Sequence, residues 1–159
     1  MSTGPTINRG GSKQNYRTPD DFRAAVVKRF GCVKFDLAAE PDNTFTPGLF
    51  FSKEQNSLVQ EWNKIDGDGW LWLNPEFADI EPWAAKCAAE MELGARILLL
   101  TPASVGSNWF KQWVQPSAAV IPLNGRLSFD GKDPYPRDLM LSVYCAGLVG
   151  FQPAWRWST

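Results

Sequence analysis

The 159-residue chain contains no histidine at all and only three cysteines. Without an imidazole, His-based general acid–base chemistry and most zinc centres are excluded. Cys32, Cys87 and Cys145 lie far apart with no Cys-x-x-Cys pair, which removes the usual thiolate metal site and leaves no metal expected. Cys32 and Cys145 read as small buried apolar residues. Long apolar runs are missing too: none approaches the roughly 20 residues needed to cross a bilayer, and no signal peptide is visible. The expectation is a cytoplasmic protein with reduced thiols. An excess of basic charge is also lacking. Sixteen Lys and Arg face 17 Asp and Glu, a net charge of −1, so no global field favours coating nucleic acid. A transient nucleic-acid enzyme could still use a local basic face, and Arg9, Lys13, Arg17, Arg23, Lys28 and Arg29 offer one. Solvated surface explains those charges equally well.

What the chain does have is tryptophan, eight of them. Trp70-Leu71-Trp72-Leu73 reads as a strand buried on both faces. It stops at Asn74-Pro75-Glu76-Phe77, the most informative tetrapeptide in the sequence. Asn-Pro alone is a common turn starter. Directly after an apolar strand it lies where open α/β sheets hold their ligands, at the carboxyl end. An Asn amide oxygen, a Pro carbonyl and an aromatic ring side by side suit an exocyclic amine on a flat base. The two oxygens accept its two N–H bonds while the ring stacks. Such acceptors draw the amine's lone pair out of conjugation, which sharpens its attack on an activated methyl group. Asn74, Pro75 and Phe77 are therefore the candidate catalytic residues.

Further elements follow along the chain. Residues 1–15 are rich in Gly, Ser, Thr, Asn and Gln and read as an arm that could order on DNA. Residues 16–159 are expected to form one domain, since the chain is too short for a catalytic domain plus a separate recognition domain, and any specificity must come from loops. Thr18-Pro19-Asp20-Asp21 supplies a capping residue, a first-turn Pro and two acids for a helix running to about Arg29 and ended by Gly31. Strands are expected at Val33–Leu37, Leu49–Ser52, Ala95–Leu100, Ala118–Pro122 and Leu139–Tyr144. A helix is expected over Ile80–Leu93, and another starting at Ser107 or Asn108. Trp83, Cys87 and Met91 recur every fourth residue and read as a core stripe. Asp130 to Asp138 reads as a loop long enough to contact DNA, and the Trp-rich tail around Trp155 and Trp157 as a clamp on the fold or a partner contact. The expected architecture is α/β, a mixed sheet flanked by few helices.

Thr18-Pro19, Phe35-Asp36-Leu37-Ala38-Ala39, Leu58 with Trp62, Leu73-Asn74-Pro75, Trp83 with Lys86, Pro102-Ala103, Trp109-Phe110 and Gly125-Arg126 recur in an order that resembles the phage-type DNA N6-adenine methyltransferase (Dam) family. The resemblance spans about Tyr16 to Tyr144. It implies a minimal Rossmann-like fold, S-adenosylmethionine as cofactor, adenine in double-stranded DNA as substrate, and a phage or prophage origin, hence the host cytoplasm. Asp36, Ala38 and Ala39 are then expected to line the cofactor site, with a turn-capping Asp as the competing reading of Asp36. Thr18 and Pro19 are expected beside the cofactor's methionine part, although helix capping also explains them. Glu54 is placed for the ribose hydroxyls or for the surface, and Leu58 for an apolar wall. Trp109 and Arg126 are the DNA-facing candidates, against core packing for one of Trp109 and Phe110 and a surface salt bridge for Arg126. Glu76 stands where the family usually has a second Pro, bringing a carboxylate toward a site for a sulfonium. That departure, the absent glycines after Asp36 and the acidic balance support an alternative, an inactive methyltransferase-like module that binds DNA or a protein. Another amine, on free or RNA adenine or on cytosine, would suit the same trio. Oligomeric state is open, a dimer embracing duplex DNA being one arrangement for a chain this small.

Overall fold

The computed structural model describes residues 17–158. The arm expected over residues 1–15, with Arg9 and Lys13, lies outside the described residues. Helix α1 (Asp20–Phe30) leads into β1 (Val33–Asp36), three short 3-10 turns follow, and β2 (Trp70–Leu73), α2 (Glu81–Glu92), β3 (Ile97–Pro102), a π-helical turn (Phe110–Val114), β4 (Ala119–Asn124), β5 (Leu139–Tyr144), β6 (Gly150–Phe151) and β7 (Trp155–Arg156) complete the order. The strands lie β1-β2-β3-β5-β4-β6, with β7 pairing β4 beyond Val120. β1, β2 and β3 are mutually parallel, and β5 runs antiparallel between β3 and β4. This mixed sheet flanked by helices is the expected α/β, Rossmann-like architecture.

Alternation along the central strands divides the core. All four residues of β2 are buried. Trp70 and Trp72 point with Leu98 and Leu100 into a layer closed by Phe22 and Val26 of α1. Leu71 and Leu73 point with Ile97 and Leu99 toward Ala84, Cys87 and Met91 of α2 and Phe110 of the π-helical turn. The tail completes the α1 side. Trp157 meets Phe22 edge-on at 5.1 Å and donates its indole N–H to the Gly125 carbonyl at 3.0 Å. Gly125 has φ +118°, and a Cβ there would come within 3.2 Å of the Trp157 ring nitrogen, so the turn after β4 requires glycine twice over.

Several local expectations are corrected. The strand expected at Leu49–Ser52 shrinks to one parallel bridge, Phe50 on Asp36. The chain leaves the sheet because Ser52 opens a 3-10 turn, its N–H donating to the Gln55 side chain at 2.8 Å. The helix expected after Ser107 contains a π-helical turn, in which Gln115 N–H reaches the Phe110 carbonyl at 2.8 Å; Ser107 Oγ accepts the Phe110 N–H as a cap. β6 and β7 were not anticipated, since their residues lie among Gly and Pro with no alternation. Cys87 is buried, but Cys32 is exposed and Cys145 half-buried, because both sit where strands meet turns. Arg23 is turned inward, donating to the Thr18 carbonyl at 2.9 Å and lying over the Phe45 ring, so it drops out of the basic face.

Candidate active site

From β1 the chain continues to the bridge on the outer edge of the sheet, and from β2 it continues to β3 on the other side. The carboxyl ends of β1 and β2 therefore form a topological switch point, the place where such sheets open a crevice. A cleft of about 390 Å³ lies there. Leu37, Ala38 and Ala39 after β1, Ser52 to Leu58 in part, Asn74 to Glu76 after β2, and Trp83 on α2 contribute to its wall.

Asp36 sits beneath this wall rather than in it. It is 4% exposed, and its carboxylate accepts the Ala38 N–H at 3.3 Å, the Phe45 N–H at 2.7 Å and the Thr44 hydroxyl at 3.4 Å. Burial pushes its pKa up to about 6, outweighing those donors and the nearby Arg23 charge, which favour the ionised form. One carboxylate thus ties the strand end, the small-residue turn and the 44–46 loop together. Its position matches the turn-organising reading, and the backbone it holds is what reaches the cleft.

Thr18 was expected to cap α1 or to approach a ligand. Pro19 occupies the cap position without any side-chain capping bond. The Thr18 hydroxyl is instead engaged across the core, with Trp72 Nε1 at 3.2 Å and Asn74 Nδ2 at 3.1 Å. An indole N–H can only donate, so the hydroxyl oxygen accepts it. A residue 56 positions away in sequence thereby fixes the plane of the Asn74 amide. With Nδ2 directed to Thr18, the opposite end of that amide is an acceptor oxygen.

Phe77 is not part of the cleft wall. Its ring meets Phe129 at 6.1 Å and Tyr135 at 5.7 Å, both edge-on, and those two meet each other at 5.6 Å. The loop that brings them is internally braced. Tyr135 N–H bonds the Leu127 carbonyl at 2.7 Å, and Asp130 accepts the Lys132 and Asp133 N–H groups at 2.8 and 2.9 Å. Asn74 and Pro75 therefore stand between a cleft on one side and an aromatic cluster on the other.

Of the other candidates, Ala38, Ala39 and Leu58 line the cleft, and Pro19 does not. Glu54 is exposed on its 3-10 turn and outside the wall, where its neighbours Ser52 and Lys53 stand. Trp109 is half-buried against Phe110 and the α2-side core. Arg126 is exposed and pairs with Asp138 at 3.3 Å, matching the surface salt bridge. Trp83 was placed in the core stripe, and it does stack on Trp62 at 6.4 Å, but it also forms cleft wall. Its position directly after Pro82, in the first turn of α2, was the available signal. Glu40, Asn43 and Asp79 also line the cleft and had not been singled out. Among the described residues no cluster of His, Cys, Asp or Glu could hold a metal ion, and no helix is long and apolar enough to cross a membrane.

A family model described as DNA N-6-adenine-methyltransferase (Dam) matches residues 8–138. Neither the curated proteins nor the solved structures yield a match.

Proposed function

Because the chain belongs to the DNA N-6-adenine-methyltransferase (Dam) family, we propose that it transfers a methyl group from S-adenosylmethionine to the exocyclic amine of adenine in double-stranded DNA, using Asn74, Pro75 and Phe77. The observation that carries this reading is the position of Asn74 and Pro75: at the end of β2, in the wall of the switch-point cleft, with Phe77 turned to an aromatic cluster on the other side.

The cleft suits the cofactor. Its volume lies within the roughly 300–1,000 Å³ of small-molecule sites. Ala38 and Ala39 expose backbone without bulk, Leu58 and Trp83 give apolar walls, and Asn43, Ser52 and Ser57 supply hydrogen-bonding groups. When bound, S-adenosylmethionine supplies the activated methyl group. The protein's own part is to bring the amine to it. A target adenine rotated out of the duplex costs a few kcal/mol, of which stacking on an aromatic ring such as Phe77 returns about 1–3 kcal/mol. The Asn74 amide oxygen and the Pro75 carbonyl accept the two amine N–H bonds and stabilise the positive charge that builds on nitrogen until a proton leaves. No separate base is needed, consistent with a chain that has no histidine.

The test is incubation of the protein with mixed-sequence duplex DNA and tritiated-methyl S-adenosylmethionine, followed by nucleoside analysis. Labelled N6-methyladenine is the expected product. Label on cytosine would replace the substrate assignment, and cofactor binding without label on any base of DNA or RNA would favour the inactive module.

Thr18 is a positioning residue in this scheme. Thr18→Val keeps the shape but removes the acceptor for Trp72 and Asn74. It lowers kcat about tenfold, in line with a misaligned amide acceptor, leaves the cofactor KM unchanged, and is rescued by Thr18→Ser. An unchanged kcat, or a loss confined to KM, would remove Thr18 from the scheme.

A further inference from the structure

Resting on the cofactor reading of the cleft, we propose that Glu76 makes the cleft select the cationic cofactor over its neutral product, S-adenosylhomocysteine. The two molecules share their adenosine and amino-acid parts and differ only by one methyl group and one positive charge on sulfur. A side chain that tells them apart electrostatically must therefore act on that charge.

The wall of the cleft is charged in the required sense. Glu40, Glu76 and Asp79 contribute three carboxylates, and Lys53 one ammonium. Lys86, on the neighbouring helix, is withheld: it pairs with Glu90 at 2.9 Å and lies over the Trp62 ring. Among the described residues Glu76 enters no salt bridge, so none of their cations pairs with its charge at contact distance. Of the three acids it is the one tied to the reacting end of the cleft, one peptide bond beyond the Pro75 carbonyl and two residues beyond Asn74. Its rim position is also exposed, and this sets the size of the effect. Charges this exposed interact through a dielectric close to that of water, about 80, which at separations of roughly 4–6 Å limits the discrimination supplied by Glu76 to about three- to tenfold. The consequence is faster escape of product: methyl transfer abolishes the charge that Glu76 holds, and affinity falls at the moment the reaction is complete.

The experiment measures binding, not turnover. The full chain and its Glu76→Gln, Asp79→Asn and Glu76→Lys variants are titrated calorimetrically with S-adenosylmethionine and S-adenosylhomocysteine separately, at low salt and at about 0.5 M salt. The ratio of the two dissociation constants cancels every contact the ligands share. The proposal expects the wild-type preference for the cationic ligand to fall about three- to tenfold in Glu76→Gln, to fall further in Glu76→Lys, and to shrink with salt in the wild type but little in Glu76→Gln. An unchanged ratio in Glu76→Gln, with both ligands still bound, overturns it, as does a ratio that responds only to Asp79→Asn. Failure of the wild type to bind either ligand overturns the cofactor reading itself, a separate result.

Discussion

Asn74→Ala lowers methyl transfer by about 10²- to 10³-fold, the loss that follows when one preorganised group facing developing charge is removed. The amide performs two tasks at once. Nδ2 is held by Thr18 at 3.1 Å, which costs nothing at the moment of reaction because the contact already exists in the folded protein. The oxygen at the other end accepts an amine N–H as positive charge grows on nitrogen. Alanine removes both, while the cleft walls formed by Ala38, Leu58 and Trp83 remain. Cofactor affinity is accordingly expected to change by less than about threefold, and the loss of the side-chain hydrogen bond to Thr18 costs the fold about 1 kcal/mol. Asn74→Asp separates the tasks. A carboxylate still accepts, and the Thr18 hydroxyl can turn to donate to it, so this variant retains at least about tenfold more activity than alanine. The measurement is single-turnover methylation with calorimetric cofactor binding alongside. Wild-type turnover by Asn74→Ala would end the proposed role.

How much of this was legible in the sequence depends on whether the signal was local. The double-sided burial of Trp70 to Leu73 was readable because four consecutive bulky residues leave no polar face, and the strand does lie between two parallel neighbours. Helix α1 was readable from Phe22, Val26 and Gly31. Thr18 illustrates the opposite case. Locally it is a good capping residue, but a tertiary contact 54 and 56 residues away competes for the same hydroxyl and wins, because a buried indole N–H without an acceptor is costly. Glu54 was judged by its distance from a strand that turned out to be a single bridge, so Ser52 and Lys53 came to the cleft in its place. The partners of Phe77 could not be read at all. Phe129 and Tyr135 lie more than 50 residues further on, in a loop whose shape comes from Asp130 and two backbone N–H groups rather than from any periodic pattern.

The largest loss of stability is expected from Trp72→Ala. Trp72 is fully buried, its ring lies 6.1 Å from Phe22 and 5.1 Å from Phe45, and it belongs to the layer that α1 and Trp157 close. Replacing a buried Trp by Ala costs about 3–5 kcal/mol through lost burial and the cavity left behind. Against a typical domain stability of about 5–15 kcal/mol, that is enough to bring unfolding close to ambient conditions. Trp72→Phe distinguishes packing from hydrogen bonding. It keeps an aromatic ring in the layer but deletes the indole N–H that binds Thr18, so it costs less than half as much. Even so, it shares the kinetic defect of Thr18→Val, because the hydroxyl that aligns Asn74 loses one of its two anchors. Urea denaturation followed by Trp fluorescence and by circular dichroism measures the first effect, and kcat at fixed cofactor concentration the second. A Trp72→Ala protein within about 1 kcal/mol of wild type would show that this layer is not what holds the sheet to α1. A fully active Trp72→Phe would show that Thr18 keeps its alignment without the indole, leaving Asn74 itself as the partner that fixes the hydroxyl.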